Sequence, residues 1–156
     1  MSKCRRILAV ASSGGHWIQL RRMQSAFPSG ETVWVSTSEG HRGEIEGDAF
    51  EVVPDCNRWE KIAVVRSAFR MLLLVLRRRP THVVTTGAAP GYFALVFGRL
   101  IGAKTVWIDS VANAETLSLS GQQARRWAHE VWTQWPELVA SADGNLVEVS
   151  CHGSVL

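Results

Sequence analysis

The chain has 156 residues, 46% hydrophobic and 20% charged, with 17 Lys and Arg against 14 Asp and Glu. This composition excludes intrinsic disorder for the bulk of the chain, and the length suits one domain, residues 1–156, rather than an enzyme of two full lobes. The net charge of +3 is modest, but 14 of the 17 bases are arginine, which favours forked contacts to phosphate or carboxylate.

In chain order, Met1 to Arg6 form a basic start, and the apolar run that follows is too short for a signal peptide. Residues 6–11 read as a first strand, broken by Ser12-Ser13-Gly14-Gly15. Residues 16–27 place Leu20, Met23 and Phe27 on one helical face, and Pro28-Ser29-Gly30 ends that helix. Residues 32–36 and 50–53 read as strands, with the polar, Gly-rich stretch 39–44 between them a loop or short helix. A long helix is expected over 59–79, stopped by Pro80.

The second half repeats the rhythm. Residues 82–86 read as a strand, 87–91 as a turn, 92–101 as a helix with Gly102 as its C-cap, and 105–109 as a strand. Residues 122–130 look helical, 131–134 form a short strand, and 146–150 a last one. Strands alternating with helices, several apolar throughout, predict an α/β, Rossmann-like parallel sheet with helices on both faces. Ligands of such sheets sit at the carboxyl ends of the strands, on the edge where the Gly turns lie.

Three turns on that edge carry chemistry. The first, Ser13-Gly14-Gly15-His16, opens a helix. Its glycines let a ligand approach, its helix N–H groups favour an anion, and His16 is placed to act as a general base on a sugar hydroxyl. The same glycines also serve simple turn geometry, with His16 solvent-exposed. The sequence is not GxGxxG, which disfavours a dinucleotide. The second turn, from Thr85-Thr86-Gly87 to Gly91, suits either a ligand or close strand–helix packing. The third segment presents Asp109, Ser110, Asn113 and Glu115, a set fitted to sugar recognition or, for Asp109 and Ser110, to helix capping.

On a wheel of 100° per residue, Arg66, Arg70 and Arg77 fall within ~40° of each other with Leu73 between them. The rest of that helix, including Val64, Val65, Phe69, Leu72 and Leu76, is apolar. Such a helix lies either at an anionic membrane surface or on the sheet with its arginine stripe solvated. Arg77-Arg78-Arg79 also complement the helix dipole. No stretch reaches the ~18 uncharged apolar residues of a spanning helix. Cys4, Cys56 and Cys151, odd in number and far apart, read as free thiols with neither zinc nor a disulfide framework. The expected location is cytoplasmic. Low charge and the lack of any helix-turn-helix or RNA motif argue against nucleic acid as a partner. Trp127, Trp132 and Trp135, near Pro136, suit either core or a docking surface.

Read together, Ala11–Leu20 (ASSGGHWIQL), Thr85–Gly91 (TTGAAPG), Trp107–Gly121 (WIDSVANAETLSLSG) and Thr133–Leu138 (TQWPEL) resemble the ALG-fourteen-type family of oligosaccharide biosynthesis proteins, which includes bacterial exopolysaccharide and capsule homologues. The resemblance covers nearly the whole chain. These proteins are similar to the N-terminal, acceptor-side lobe of family 28 GT-B glycosyltransferases, with the nucleotide-sugar lobe on a second subunit.

The resemblance implies an inverting, metal-independent, cofactor-free transferase of two subunits. The partner would bind the UDP-sugar. This chain would bind a polyprenyl-diphosphate-linked sugar and recruit the partner to the inner face of the cytoplasmic membrane as a peripheral protein. His16 would contact or deprotonate the acceptor, with Ser13, Gly14, Gly15, Thr86, Gly87, Asp109, Ser110, Asn113 and Glu115 around it. Asp109 stands where relatives usually have glutamate, a shorter reach. Arg66, Arg70, Leu73 and Arg77 would meet the membrane, in place of the spanning anchor that eukaryotic members often carry. Gly153 to Leu156 fall where two-lobed relatives enter their interlobe linker. A second class stays open, a non-catalytic membrane scaffold that activates a partner transferase.

Overall fold

The computed structural model describes residues 5–141 and 143–155; Cys4 and Leu156 lie outside them. Seven strands, β1 (Ile7–Ala11), β2 (Thr32–Ser36), β3 (Ala49–Val52), β4 (His82–Gly87), β5 (Lys104–Ile108), β6 (Glu130–Thr133) and β7 (Val149–Cys151), form one sheet in the order β3-β2-β1-β4-β5-β6-β7. Every pairing is parallel. Four α-helices, α1 (Gly15–Arg22), α2 (Lys61–Arg78), α3 (Ala88–Leu100) and α4 (Leu119–Ala124), make the crossovers together with short 3-10 turns. The Rossmann-like expectation is met.

Alternation along β1 separates the two faces. Leu8 and Val10 enter a core with Met71, Leu74 and Val75 of α2 and Ala94 of α3, while Ala9 and Ala11 lie under Trp17 and Leu20 of α1. On the α3 side, Trp107 and Leu95 join Ala124 of α4 and Val131. Trp17, Trp34 and Trp107 are fully buried, which accounts for three of the seven tryptophans. Trp17 meets Trp34 and Phe50 edge-on, at 6.1 and 5.9 Å between ring centroids, a geometry the ring quadrupole favours.

The strand–helix–strand rhythm is as predicted, but several bounds shift. The helix expected over 16–27 ends at Arg22, and a separate 3-10 turn, Gln24–Ala26, forms its last part. Residues 87–91 are not a turn: α3 starts at Ala88. Pro90 falls in its first turn, where the missing N–H costs nothing. The reversal is confined to Gly87 and Ala88, both at positive φ (129° and 65°). The glycines of α3 serve packing, since a Cβ on Gly91 would lie 2.0 Å from Thr85 Oγ1 and one on Gly98 2.5 Å from Val83 Cγ2. The helix expected over 122–130 is α4, Leu119–Ala124, because Ser118 caps it by accepting from the Gly121 N–H at 2.9 Å and Glu130 belongs to β6. α2 begins two residues later than expected, and the last strand is Val149–Cys151.

Candidate functional site

The strand order reverses between β1 and β4, and this switch point is where parallel sheets open a crevice at their carboxyl edge. Two helices start there. α1 follows β1 through Gly14 (φ 83°), and α3 follows β4 through Gly87; neither N-cap residue offers a side-chain cap. The amino ends of two helices thus meet at one point, each favouring negative charge.

His16 bridges them. Its Nδ1 lies 2.9 Å from the Thr86 carbonyl oxygen, and the Thr86 hydroxyl donates back to the His16 carbonyl at 2.7 Å. A carbonyl only accepts, so Nδ1 carries the hydrogen and Nε2 keeps the lone pair of a base. The ring lies across Gly87, where a Cβ would fall 2.8 Å from both Cε1 and Nδ1. Gly87 is therefore required twice, by its backbone conformation and by the imidazole above it. Ala88, at φ 65°, holds strain beside it.

Ser13, Gly14 and Gly15 are exposed on this edge, and Thr86 and Gly87 are buried beneath it. The structure thus assembles six predicted residues, Ser13 to His16 with Thr86 and Gly87. It adds Thr37 of the loop after β2, which accepts from the Ser13 N–H at 2.9 Å. The hydroxyl pattern of Ser36-Thr37-Ser38 was the available signal.

The third segment divides. Asp109 is buried, and its carboxylate faces inward. Oδ1 accepts from Trp107 Nε1 (3.0 Å) and Ser118 Oγ (2.6 Å), and Oδ2 from the Ser118 N–H (2.8 Å) and Asn113 Nδ2 (3.2 Å). This aspartate shapes the 110–118 loop and seats α4, with Gly121 small enough to let the helix approach it. Ser110 Oγ accepts from Gln19 Nε2 of α1 at 3.1 Å. Gln134 completes the link, donating to Gln19 Oε1 and the Asp109 carbonyl, each at 3.0 Å, while its own oxygen accepts from the Val155 N–H at 2.9 Å. This buried amide pair, which sequence reasoning missed, ties α1 to the ends of β5 and β6. Gln19 is a polar residue on the buried side of an amphipathic helix, and that was its only mark. Glu115 is exposed and Asn113 half-buried on the loop.

The α2 residues stand apart from this edge. Arg66, Arg70, Leu73 and Arg77 are all exposed. Arg77 and Arg78 both pair with Glu51 of β3; burial pushes the Glu51 carboxyl up, but the two guanidiniums outweigh it and hold it below the usual range. Apolar residues share the outer face with the arginines: Trp59 is 81% and Ile62 86% exposed, followed by Val65, Phe69, Leu73 and Leu76. The helix carries no acidic residue. Among the described residues no helix is long and apolar enough to cross a membrane. Trp127, Trp132 and Trp135 are half-buried, and Trp135 Nε1 donates to the Val111 carbonyl at 2.8 Å. Cys56 and Cys151 are free.

No model of a known protein family matches the chain, and no curated protein matches its sequence. Solved structures do match. MurG of Acinetobacter baumannii is similar over 97% of this chain and 46% of its own, at 14% identity and a TM-score of 0.71. UDP-N-acetylglucosamine 2-epimerase of Rickettsia bellii is similar over 98% of this chain and 46% of its own, at 11% identity and a TM-score of 0.70. A glycosyltransferase of Rickettsia africae matches over 83% of this chain and 36% of its own, at 12% identity and a TM-score of 0.57. The chain spans less than half the length of each. The fold it shares is that of the N-terminal lobe of GT-B glycosyltransferases.

Proposed function

We propose that the chain is the acceptor-binding, membrane-recruiting subunit of a heteromeric inverting glycosyltransferase of the ALG-fourteen type. The enzyme transfers a sugar from a UDP-sugar, held mainly by a partner subunit, to a polyprenyl-diphosphate-linked saccharide in exopolysaccharide, capsule or lipid-linked oligosaccharide synthesis. The observation that carries this reading is the His16 imidazole at the switch point, its Nδ1 on the Thr86 carbonyl and its Nε2 left basic.

In this scheme Nε2 takes the proton of the acceptor hydroxyl as its oxygen attacks the anomeric carbon, and the bond to UDP breaks on the opposite face. The N–H groups of Gly14 and Gly15 and the two helix amino ends serve the acceptor's diphosphate. Asn113 and Glu115 contact its sugar, from a loop that Asp109 and Ser110 hold in shape. Stabilising the departing diphosphate falls to the partner. No step requires a metal or a cofactor.

Recruitment falls to α2, whose own residues mix exposed apolar side chains with arginine and include no carboxylate, Glu51 beside Arg77 and Glu60 at its amino end being the acidic neighbours. Such a face suits the anionic inner surface of a cytoplasmic membrane, where each basic side chain contributes about 1 kcal/mol. Arg66→Glu with Arg70→Glu is expected to weaken cosedimentation with phosphatidylglycerol vesicles by at least ~30-fold. Arg77 is left out of that variant because Glu51 already holds it. Unchanged binding contradicts the membrane assignment.

A further inference from the structure

At the opposite, amino-terminal edge of the sheet lies a cavity of about 630 Å³. Arg5, Arg6, Arg79, His82 and Lys104 line it, with Thr81 between them, and Leu76 and Ile101 supply apolar wall. Every ionisable residue in that lining is basic. By contrast, the neighbouring cavity of about 360 Å³ on the same edge includes Glu31 and Asp48.

The register explains the convergence. His82 pairs with Ile7 on one side and Lys104 on the other, so three adjacent strands begin in one row. Arg79 closes α2 in a left-handed conformation (φ 45°), and its carbonyl accepts from Arg6 Nε at 2.8 Å, holding that guanidinium at the rim. Thr81 Oγ1 accepts from the Arg6 N–H at 3.0 Å. The carboxyl ends of α2 and α3 reach the same edge, but each offsets only about half a positive charge. Arg6, Arg79 and Lys104, all exposed, exceed that. Burial, together with the nearby Lys104 and Arg5 charges, holds the His82 imidazole below its ordinary pKa.

We propose that this cavity is a binding site for a phosphate-bearing anion, separate from the His16 edge. Arginine and lysine supply the donors that phosphate oxygens need, without a carboxylate to repel them. Leu76 ends the exposed stripe of α2, and Ile101 is 40% exposed beside it. A lipid headgroup is therefore one source, and that source alone rests on the membrane reading above; a soluble phosphate ester is the other.

Arg79→Asn with Lys104→Gln tests the site. Asn tolerates the left-handed backbone, Lys104 is exposed, and an unchanged thermal midpoint verifies the fold. Inorganic phosphate is titrated while the His82 imidazole signals are followed, and vesicles of phosphatidylcholine are compared with and without phosphatidylglycerol. The expected result is a saturable His82 shift in the wild-type chain that the double variant loses. A lipid source adds a loss of about 30-fold in the preference for phosphatidylglycerol, since each basic side chain near such a surface is worth about fivefold. A lost phosphate response with unchanged vesicle preference supports the site and assigns a soluble ester. No change in either, or a His82 shift that survives in the double variant, overturns it. Ile62→Ser with Phe69→Ser keeps the two readings apart: it weakens binding to both vesicle types if α2 meets the membrane, and leaves the phosphate response intact.

Discussion

Replacing His16 by alanine is expected to lower kcat of the reconstituted pair by about 10²- to 10⁴-fold, the range for loss of a general base. The effect belongs in kcat rather than in acceptor KM, because the helix amino ends and the Gly14-Gly15 backbone that serve the diphosphate remain. The tautomer makes the expectation specific. With Nδ1 donating to the Thr86 carbonyl, only Nε2 is available as a base. An unchanged turnover rate would make the chain a scaffold and move all the chemistry to the partner.

Asp109→Ala carries the second large effect, on stability. Its carboxylate accepts from Trp107 Nε1, Ser118 Oγ, the Ser118 N–H and Asn113 Nδ2, and the residue is 2% exposed. Truncation leaves the indole N–H of the fully buried Trp107 and the Ser118 amide without their acceptor. At about 1–3 kcal/mol for each unsatisfied donor, the loss is roughly 3 kcal/mol. For a chain of this size that lowers the thermal midpoint by about 6–12 °C. The opposite pattern, an unchanged midpoint with lost acceptor affinity, would make Asp109 a direct ligand contact rather than the anchor of the 110–118 loop.

Asp109 also shows where sequence reading stops. Its position after an apolar strand was legible, and capping and sugar recognition were both open readings. The outcome lies nearest the first, as the aspartate holds Ser118, which caps α4. Spacing along the chain does not report that Trp107, two residues earlier on the same face of β5, aims its indole N–H at the carboxylate. The strand β2 keeps its expected bounds because its apolar centre, Val33-Trp34-Val35, packs on both faces of the sheet and is flanked by turn and polar residues. The start of α3 was misread because Gly87, Pro90 and Gly91 are turn signals, whereas in three dimensions Gly91 is a packing contact on Thr85. The His16 loop was legible as a site by its place after β1. The pairing of His16 with Thr86 and Gly87, 70 residues away, follows from β4 inserting beside β1, a tertiary fact. Gln19 and Gln134 were invisible for the same reason, being 115 residues apart.

The proposal that this lobe provides the acceptor half of an active site is tested most directly by product formation from a UDP-sugar and a polyprenyl-diphosphate-linked acceptor. Purified chain alone should bind the acceptor and form no product, and turnover should appear when the donor-lobe subunit is added. Robust transfer by the chain without a partner would contradict the account.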